Sequence, residues 1–284
     1  MKTIVIPFDF STNARKALEY AIHLGKDTES PIYVYHVLHE SPYKLAASSG
    51  EQEMEMLIQK DEKEKTAALK QEVNNILHSL SLNFGSDRIT VKAEYNPLIT
   101  ERILELSKKQ NAGLIVMGTH GASGIRKFLF GSNTSNMIAK SDIPVLAIPE
   151  KNSYTPVKTI LYASDLEDLR AELDRIIPFA KSLHAFIDVL HINYGPNEKK
   201  ITTDAAKEIT GQSVYQYINL LIRDADTLMP LLKQIRNYMQ EQMPEWLVMF
   251  TRERSMWNKL FIGSKTEDMS LSLQLPLLSF KKTG

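Results

Sequence analysis

At 284 residues the chain is long for a single core, and a norm of about 150 residues per domain predicts two domains. Hydrophobic residues make up 43% and charged residues 24%, which excludes a largely disordered chain. Lys+Arg and Asp+Glu each total 34, so no basic field favours nucleic acid or an anionic membrane, and the absence of cysteine removes disulfides, thiolate nucleophiles and Cys-type metal centres.

The N-terminus MKTIVIPFDF enters a short apolar run at once, without a signal h-region or cleavage site. No apolar run approaches the roughly 18 residues of a membrane span, and a cytoplasmic location is expected. TIVIPFD reads as a buried β-branched strand ending at Asp9, after which Ser11 or Thr12 can cap a helix. In NARKALEYAIHLGKD the residues Ala17, Leu18, Ala21, Ile22 and Leu24 form one stripe, and Gly25 reads as the helix end. IYVYHVL is a second strand, and the charged run from Glu51 to Leu80 is an amphipathic helix. ITVKAEYN, LITERILELSKKQN and GLIVMG continue as strand, helix and strand, with a helix over Thr134 to Lys140 and a last strand in IPVLAIPE. Strands separated by helices predict crossover connections, hence a mainly parallel sheet covered on both faces.

At Val157 the pattern begins again. KTILYASDLEDLRAELDRIIPFAKSLHAFIDVLHINY parallels KTIVIPFDFSTNARKALEYAIHLGKDTESPIYVYHVL, so that Asp165 falls where Asp9 falls. EWLVMFTRERSMWNKLFIGS matches GLIVMGTHGASGIRKFLFGS, and LPLLSF matches IPVLAI. The expected architecture is two tandem, doubly wound (Rossmann-like) α/β domains, 1–150 and 151–284, each with a mostly parallel five-stranded sheet.

Four of the chain's 12 glycines, Gly118, Gly121, Gly124 and Gly131, lie in GTHGASGIRKFLFGS, directly after the strand LIVM. In an open parallel sheet, ligands bind outside the carboxyl ends of the strands near the switch in strand order. A glycine leaving the strand there permits positive φ and lets backbone N–H groups approach an anion. Gly131-Ser132 opens a helix whose first free N–H groups favour phosphate, with Ser132 and Thr134 as added hydroxyl donors. Asp9, at the end of the first strand, can accept hydrogen bonds from ribose hydroxyls. The set describes a phosphate cradle for a nucleotide. It matches neither a P-loop, which ends in Gly-Lys-Ser/Thr, nor the dinucleotide fingerprint, which follows a first strand.

Asp9, then Gly118-x2-Gly121-x9-Gly131-Ser132, then IPVLAI together resemble the universal stress protein family in its ATP- or AMP-binding branch, closely in the first half and weakly in the second. The resemblance implies a tandem form with ATP or AMP as ligand and magnesium as an optional companion. Carried onto this chain, it implies Asp9, Val37, Gly118, Gly121, Gly131 and Ser132 as nucleotide contacts, with Met117, His120, Asn133 and Thr134 as secondary ones. It also implies that two such domains pair through their last strands as an internal pseudo-dimer, with a further homodimer open.

The second half has lost the motif. Aligning Gly263-Ser264 with Gly131-Ser132 puts Phe250 opposite Gly118 and Glu253 opposite Gly121. A phenylalanine fills the space, and a glutamate places negative charge where phosphate would lie. Asp165 is expected there as a helix cap. Other patterns read blandly: His36 and His39 lack further ligands for zinc, His36 and His191 recur as strand-end packing residues, and Tyr215 and Tyr217 suggest one aromatic face of a strand. No Ser-His-Asp order, paired acid/base carboxylates or magnesium-liganding set emerges. The expected role is non-enzymatic: a nucleotide-dependent stress-response regulator, with slow ATP hydrolysis or a ligand-free scaffold as alternatives.

Overall fold

The computed structural model describes residues 2–38, 51–82, 84–119, 131–193, 203–251 and 275–282. They divide into two compact units, Lys2–Tyr154 and Thr155–Gly284. Tyr154 belongs to the first because its ring stacks on His23 at 4.9 Å, meets Tyr20 edge-on, and its hydroxyl donates to Asp27.

The first unit runs β1 (Thr3–Pro7), α1 (Thr12–Asp27), β2 (Ile32–Leu38), α2 (Glu51–Leu80), β3 (Ile89–Tyr95), α3 (Ile99–Lys109), β4 (Ala112–Gly118), α4 (Ser132–Lys140) and β5 (Val145–Ile148). Every pairing is parallel and the order is β3-β2-β1-β4-β5. The order reverses between β1 and β4, the position at which such sheets open a crevice at their carboxyl ends. Burial follows from this arrangement. Ile4, Val5, Ile6, Leu114, Ile115, Val116, Leu146 and Ala147 are fully buried, because helices cover both faces of the central strands.

The second unit repeats the order as β6 (Thr159–Ala163), α5 (Leu169–Leu183), β7 (Phe186–Asn193), α6 (Thr203–Gly211), β8 (Ile218–Asp224), α7 (Leu231–Gln242), β9 (Trp246–Thr251) and β10 (Leu277–Lys281). Its sheet is also parallel, ordered β8-β7-β6-β9-β10. The helix before β4 is α3 and the one before β9 is α7, so the repeat holds for every element but α4, whose position in the second unit lies outside the described residues. Among the described residues no helix is long and apolar enough to cross a membrane.

Two expectations change. Gly25 lies inside α1 rather than ending it. A Cβ there would come within 3.0 Å of Ile32 Cδ1 and 3.2 Å of the Ser30 carbonyl, so the glycine admits the chain's return into β2. Tyr215 and Tyr217 precede β8 instead of lining it. The Tyr215 hydroxyl is buried and donates to the Ala185 carbonyl at 2.5 Å, whereas Tyr217 is largely exposed. A polar tip buried with a carbonyl partner fixes Tyr215 to the α5–β7 corner.

Candidate functional site

The β1–α1 turn is built around Asp9. Its Oδ1 accepts a hydrogen bond from the Ser11 N–H at 3.1 Å, and the intervening Phe10 is left-handed with φ 62°. A non-glycine residue pays for that conformation, so the turn must be over-determined. Here the Phe10 ring meets Phe8 and His36 edge-on, and His36 Nδ1 lies 2.6 Å from the Phe8 carbonyl. A carbonyl only accepts, which makes Nδ1 the protonated nitrogen. Ser11 then caps α1, accepting from Ala14 N–H at 3.1 Å. Of the two candidate caps, Ser11 is the one used.

The second unit reproduces this turn. Asp165 Oδ1 accepts from Glu167 N–H at 3.1 Å, Leu166 has φ 62°, and His191 Nδ1 donates to the Ser164 carbonyl at 3.0 Å. Asp165 therefore shapes the strand exit and does not cap α5, whose N-cap position is Asp168. The histidines have a definite role as donors that pin the carbonyl before each aspartate.

Across the switch point stands Gly118, at the end of β4. Its backbone is not left-handed, so the expected positive φ is not the reason for the glycine. A Cβ would lie 2.7 Å from the Asn13 carbonyl oxygen and 2.8 Å from Asn13 Cβ. The first turn of α1 packs against bare backbone, and any side chain would push it away. The Gly131 N–H donates to the Thr119 carbonyl at 2.6 Å, and Thr134 Oγ1 donates to the Gly118 carbonyl at 2.8 Å. Together these bonds seat the start of α4 against the end of β4. Thr134 is buried, and its hydroxyl donates to the backbone here.

The N-cap of α4 is Gly131, with φ −62° and ψ 161° and no side chain to satisfy the helix's first N–H groups. Ser132 and Asn133 are exposed beside it. Val37 and Met117 are buried, Val37 paired with Glu94 and Met117 with Ala147 near the carboxyl ends of their strands. Thus Asp9, Gly118, Gly131, Ser132, Asn133 and Thr134 gather at one switch point. His120, Gly121 and Gly124 lie outside the described residues, as do His39, Glu253, Gly263 and Ser264.

One residue escaped the sequence pattern. Asn13 Oδ1 is buried with no hydrogen-bond partner among the described residues, on the α1 turn that touches Gly118. An unsatisfied buried acceptor costs about 1–3 kcal/mol, so it marks a place where a donor is missing. Asparagine in the first turn of a helix reads as ordinary, and only the three-dimensional packing singles it out.

In the second unit the corresponding end of the sheet is filled. Phe250 pairs with Phe280 across β9 and β10 just as Gly118 pairs with Ile148. The two rings stack at 4.7 Å, Tyr162 meets Phe250 edge-on, and the Arg175 guanidinium lies over both phenylalanines. Beside them Lys282 Nζ sits 2.8 Å from Asp165 Oδ2 and 3.3 Å from Glu172 Oε1, and the Lys282 and Glu172 side chains are each 4% exposed. Tyr162 donates its hydroxyl proton to Glu172. Burial raises the Glu172 carboxyl above the usual carboxylate range. Burial also opposes charge on Lys282, but the Asp165 hydrogen bond and the Glu172 charge outweigh it and hold the ammonium above its ordinary value. Rings and an internal ion pair occupy the end of the second sheet, and Asp165, Asp168 and Glu172 would repel phosphate.

Comparison with known proteins follows this division. The model of the Universal stress protein family matches residues 1–149. Universal stress protein MJ0531 of Methanocaldococcus jannaschii is 31% identical over 147 residues, covering 52% of this chain and 81% of that protein. Universal stress protein YxiE of Bacillus subtilis is 26% identical over 147 residues, covering 51% of this chain and 97% of that protein. Among solved structures, a universal stress protein from Archaeoglobus fulgidus superposes with a TM-score of 0.66 at 20% identity, over 99% of this chain and 98% of that one. The fold of the whole chain is therefore shared, and the family model matches its first half.

Two outcomes are expected. Gly118→Ala should cost about 1–3 kcal/mol through overpacking against Asn13, read as a lower urea midpoint. Lys282→Met should cost about 3–5 kcal/mol, because it strands the buried Glu172, and adding Glu172→Leu should recover part of that loss. An unchanged midpoint in either single variant would contradict the packing described.

Proposed function

The chain belongs to the universal stress protein family, and from that premise we propose that its first unit binds one adenine nucleotide, ATP or AMP, while its second unit binds none. The observation that carries the reading is the α4 N-terminus, which begins at Gly131 near the switch point and is seated there by the Gly131–Thr119 and Thr134–Gly118 bonds. Backbone N–H groups and the positive end of the helix dipole favour a phosphate. Asp9 Oδ1 accepts from the Ser11 N–H, and a carboxylate at the end of β1 is the type of group that accepts from ribose hydroxyls. Asn13 Oδ1, buried and without a partner among the described residues, fits a group that brings a donor, as a ribose does, and supports a ligand with both sugar and phosphate.

The proposed role is binding rather than turnover. Occupancy would bias the protein between two conformations or two partner affinities, by as much as the nucleotide's differential affinity for them. The location proposed is the cytoplasm, where ATP and AMP are abundant.

Gly131→Asp tests the site cleanly. The backbone at Gly131 is one that any residue adopts, and aspartate is a favoured N-cap, so the variant should hold or slightly raise the melting temperature. The same carboxylate lies where phosphate would sit. Protein purified without added nucleotide, then denatured and assayed by mass spectrometry, should release an adenine nucleotide from the parent and none from Gly131→Asp. Asn13→Ala should weaken ATP binding about tenfold or more, the equivalent of one lost hydrogen bond. A parent that releases nothing and gives no calorimetric signal with ATP would replace this reading with that of a ligand-free scaffold.

A further inference from the structure

The two sheets treat their outer strands differently. In β3 the amides of Ala93 and Tyr95 point away from β2, and both are taken by α2: Ala93 N–H donates to Thr66 Oγ1 at 3.0 Å and Tyr95 N–H to Glu62 Oε1 at 2.8 Å. A 30-residue helix thus seals that edge with its own side chains. Sealing of this kind prevents an edge from recruiting another strand.

The corresponding strand of the second unit, β8, has no such seal among the described residues. Ala225 N–H donates to the Asn193 carbonyl and the Tyr217 carbonyl accepts from Ile187 N–H, both at 2.8 Å. Alternation then turns the N–H and C=O groups of Ile218, Leu220, Ile222 and Asp224 outward. None of these amides has an acceptor among the described residues, and the preceding helix α6 is only nine residues long. The register with β7 runs through seven consecutive pairs without a bulge, and Ile218–Ile222 contains neither proline nor charge. Ile218, Leu220, Leu221 and Ile222 are all left half-buried.

We propose that β8 pairs antiparallel with β8 of a second copy of this chain about a two-fold axis through Leu221. The sequence INLLIRD is self-complementary in that register. Leu220 falls opposite Ile222 of the second copy, Leu221 opposite its own counterpart, Asn219 opposite Arg223 and Ile218 opposite Asp224. Apolar pairs occupy the centre, and no like charges face one another. The strand's flanks agree with the same axis. Val214 and Tyr217 before β8 are 91% and 56% exposed, and Leu228 after it is 95% exposed. The two-fold brings the first pair level with Leu228 of the second copy, covering apolar groups that water otherwise surrounds. Because the contact uses the same patch on both chains, it closes at two and does not propagate.

Sedimentation equilibrium on the full chain tests this. The parent should be a dimer, and Val214→Glu with Leu228→Glu should raise its dissociation constant about tenfold or more by setting like charges level across the axis. Val214→Lys with Leu228→Glu should restore the parent's affinity. Both positions are almost fully exposed, so the circular dichroism spectrum should not change. A monomeric parent overturns the proposal, even one whose edge captures an extended peptide. So does a dimer that the two glutamates leave intact, or one that the Lys/Glu exchange fails to restore.

Discussion

The approach of α1 to the end of β4 is the constraint on which the first unit depends. With Asn13 backbone atoms closer than 3 Å to where a Gly118 side chain would begin, only glycine lets the first turn of α1 lie this close to the end of β4. That closeness aligns the Asp9 turn with the start of α4, since Thr134 bonds the Gly118 carbonyl and Gly131 bonds that of Thr119. A wider gap would separate the Asp9 turn from the start of α4, the two parts of the proposed site. The glycine acts through packing, and the site inherits its geometry.

The second unit shows what happens when the constraint is released. Phe250 occupies the Gly118 position, and the space becomes a stack of rings beside a buried lysine. Yet the aspartate turn survives, with the same left-handed residue and the same histidine bond. The turn is thus a requirement of the fold, separable from ligand binding. Asp9 shapes its turn in the same way, and Asp165 adds to the turn an ion pair with Lys282.

Most of the fold was legible because its signals are local and periodic. The limits of α2 coincide with the charged amphipathic run, β2 and β3 lie within the stretches that announced them, and β4 begins one residue before GLIVMG. The internal repeat supplied the second unit from the first. What could not be read depended on distant neighbours. Gly25 looked like a helix end, but its reason is Ile32 on the next strand. Tyr215 seemed part of an alternating strand, whereas its hydroxyl reaches a carbonyl some 30 residues back in the chain. The candidate site was proposed from motif and strand order, while Asn13 was invisible, since a buried acceptor without a partner among the described residues exists only after packing. Lys282 was equally hidden, because nothing in LSFKK distinguishes a buried cation from a surface one.

The most direct measurement of the central claim is photolabelling of the intact protein with an azido-adenine nucleotide, followed by peptide mapping. The account predicts label on peptides from residues 2–154, displaced by excess ATP, and none from residues 155–284. Label in the second unit, or in neither, would contradict it.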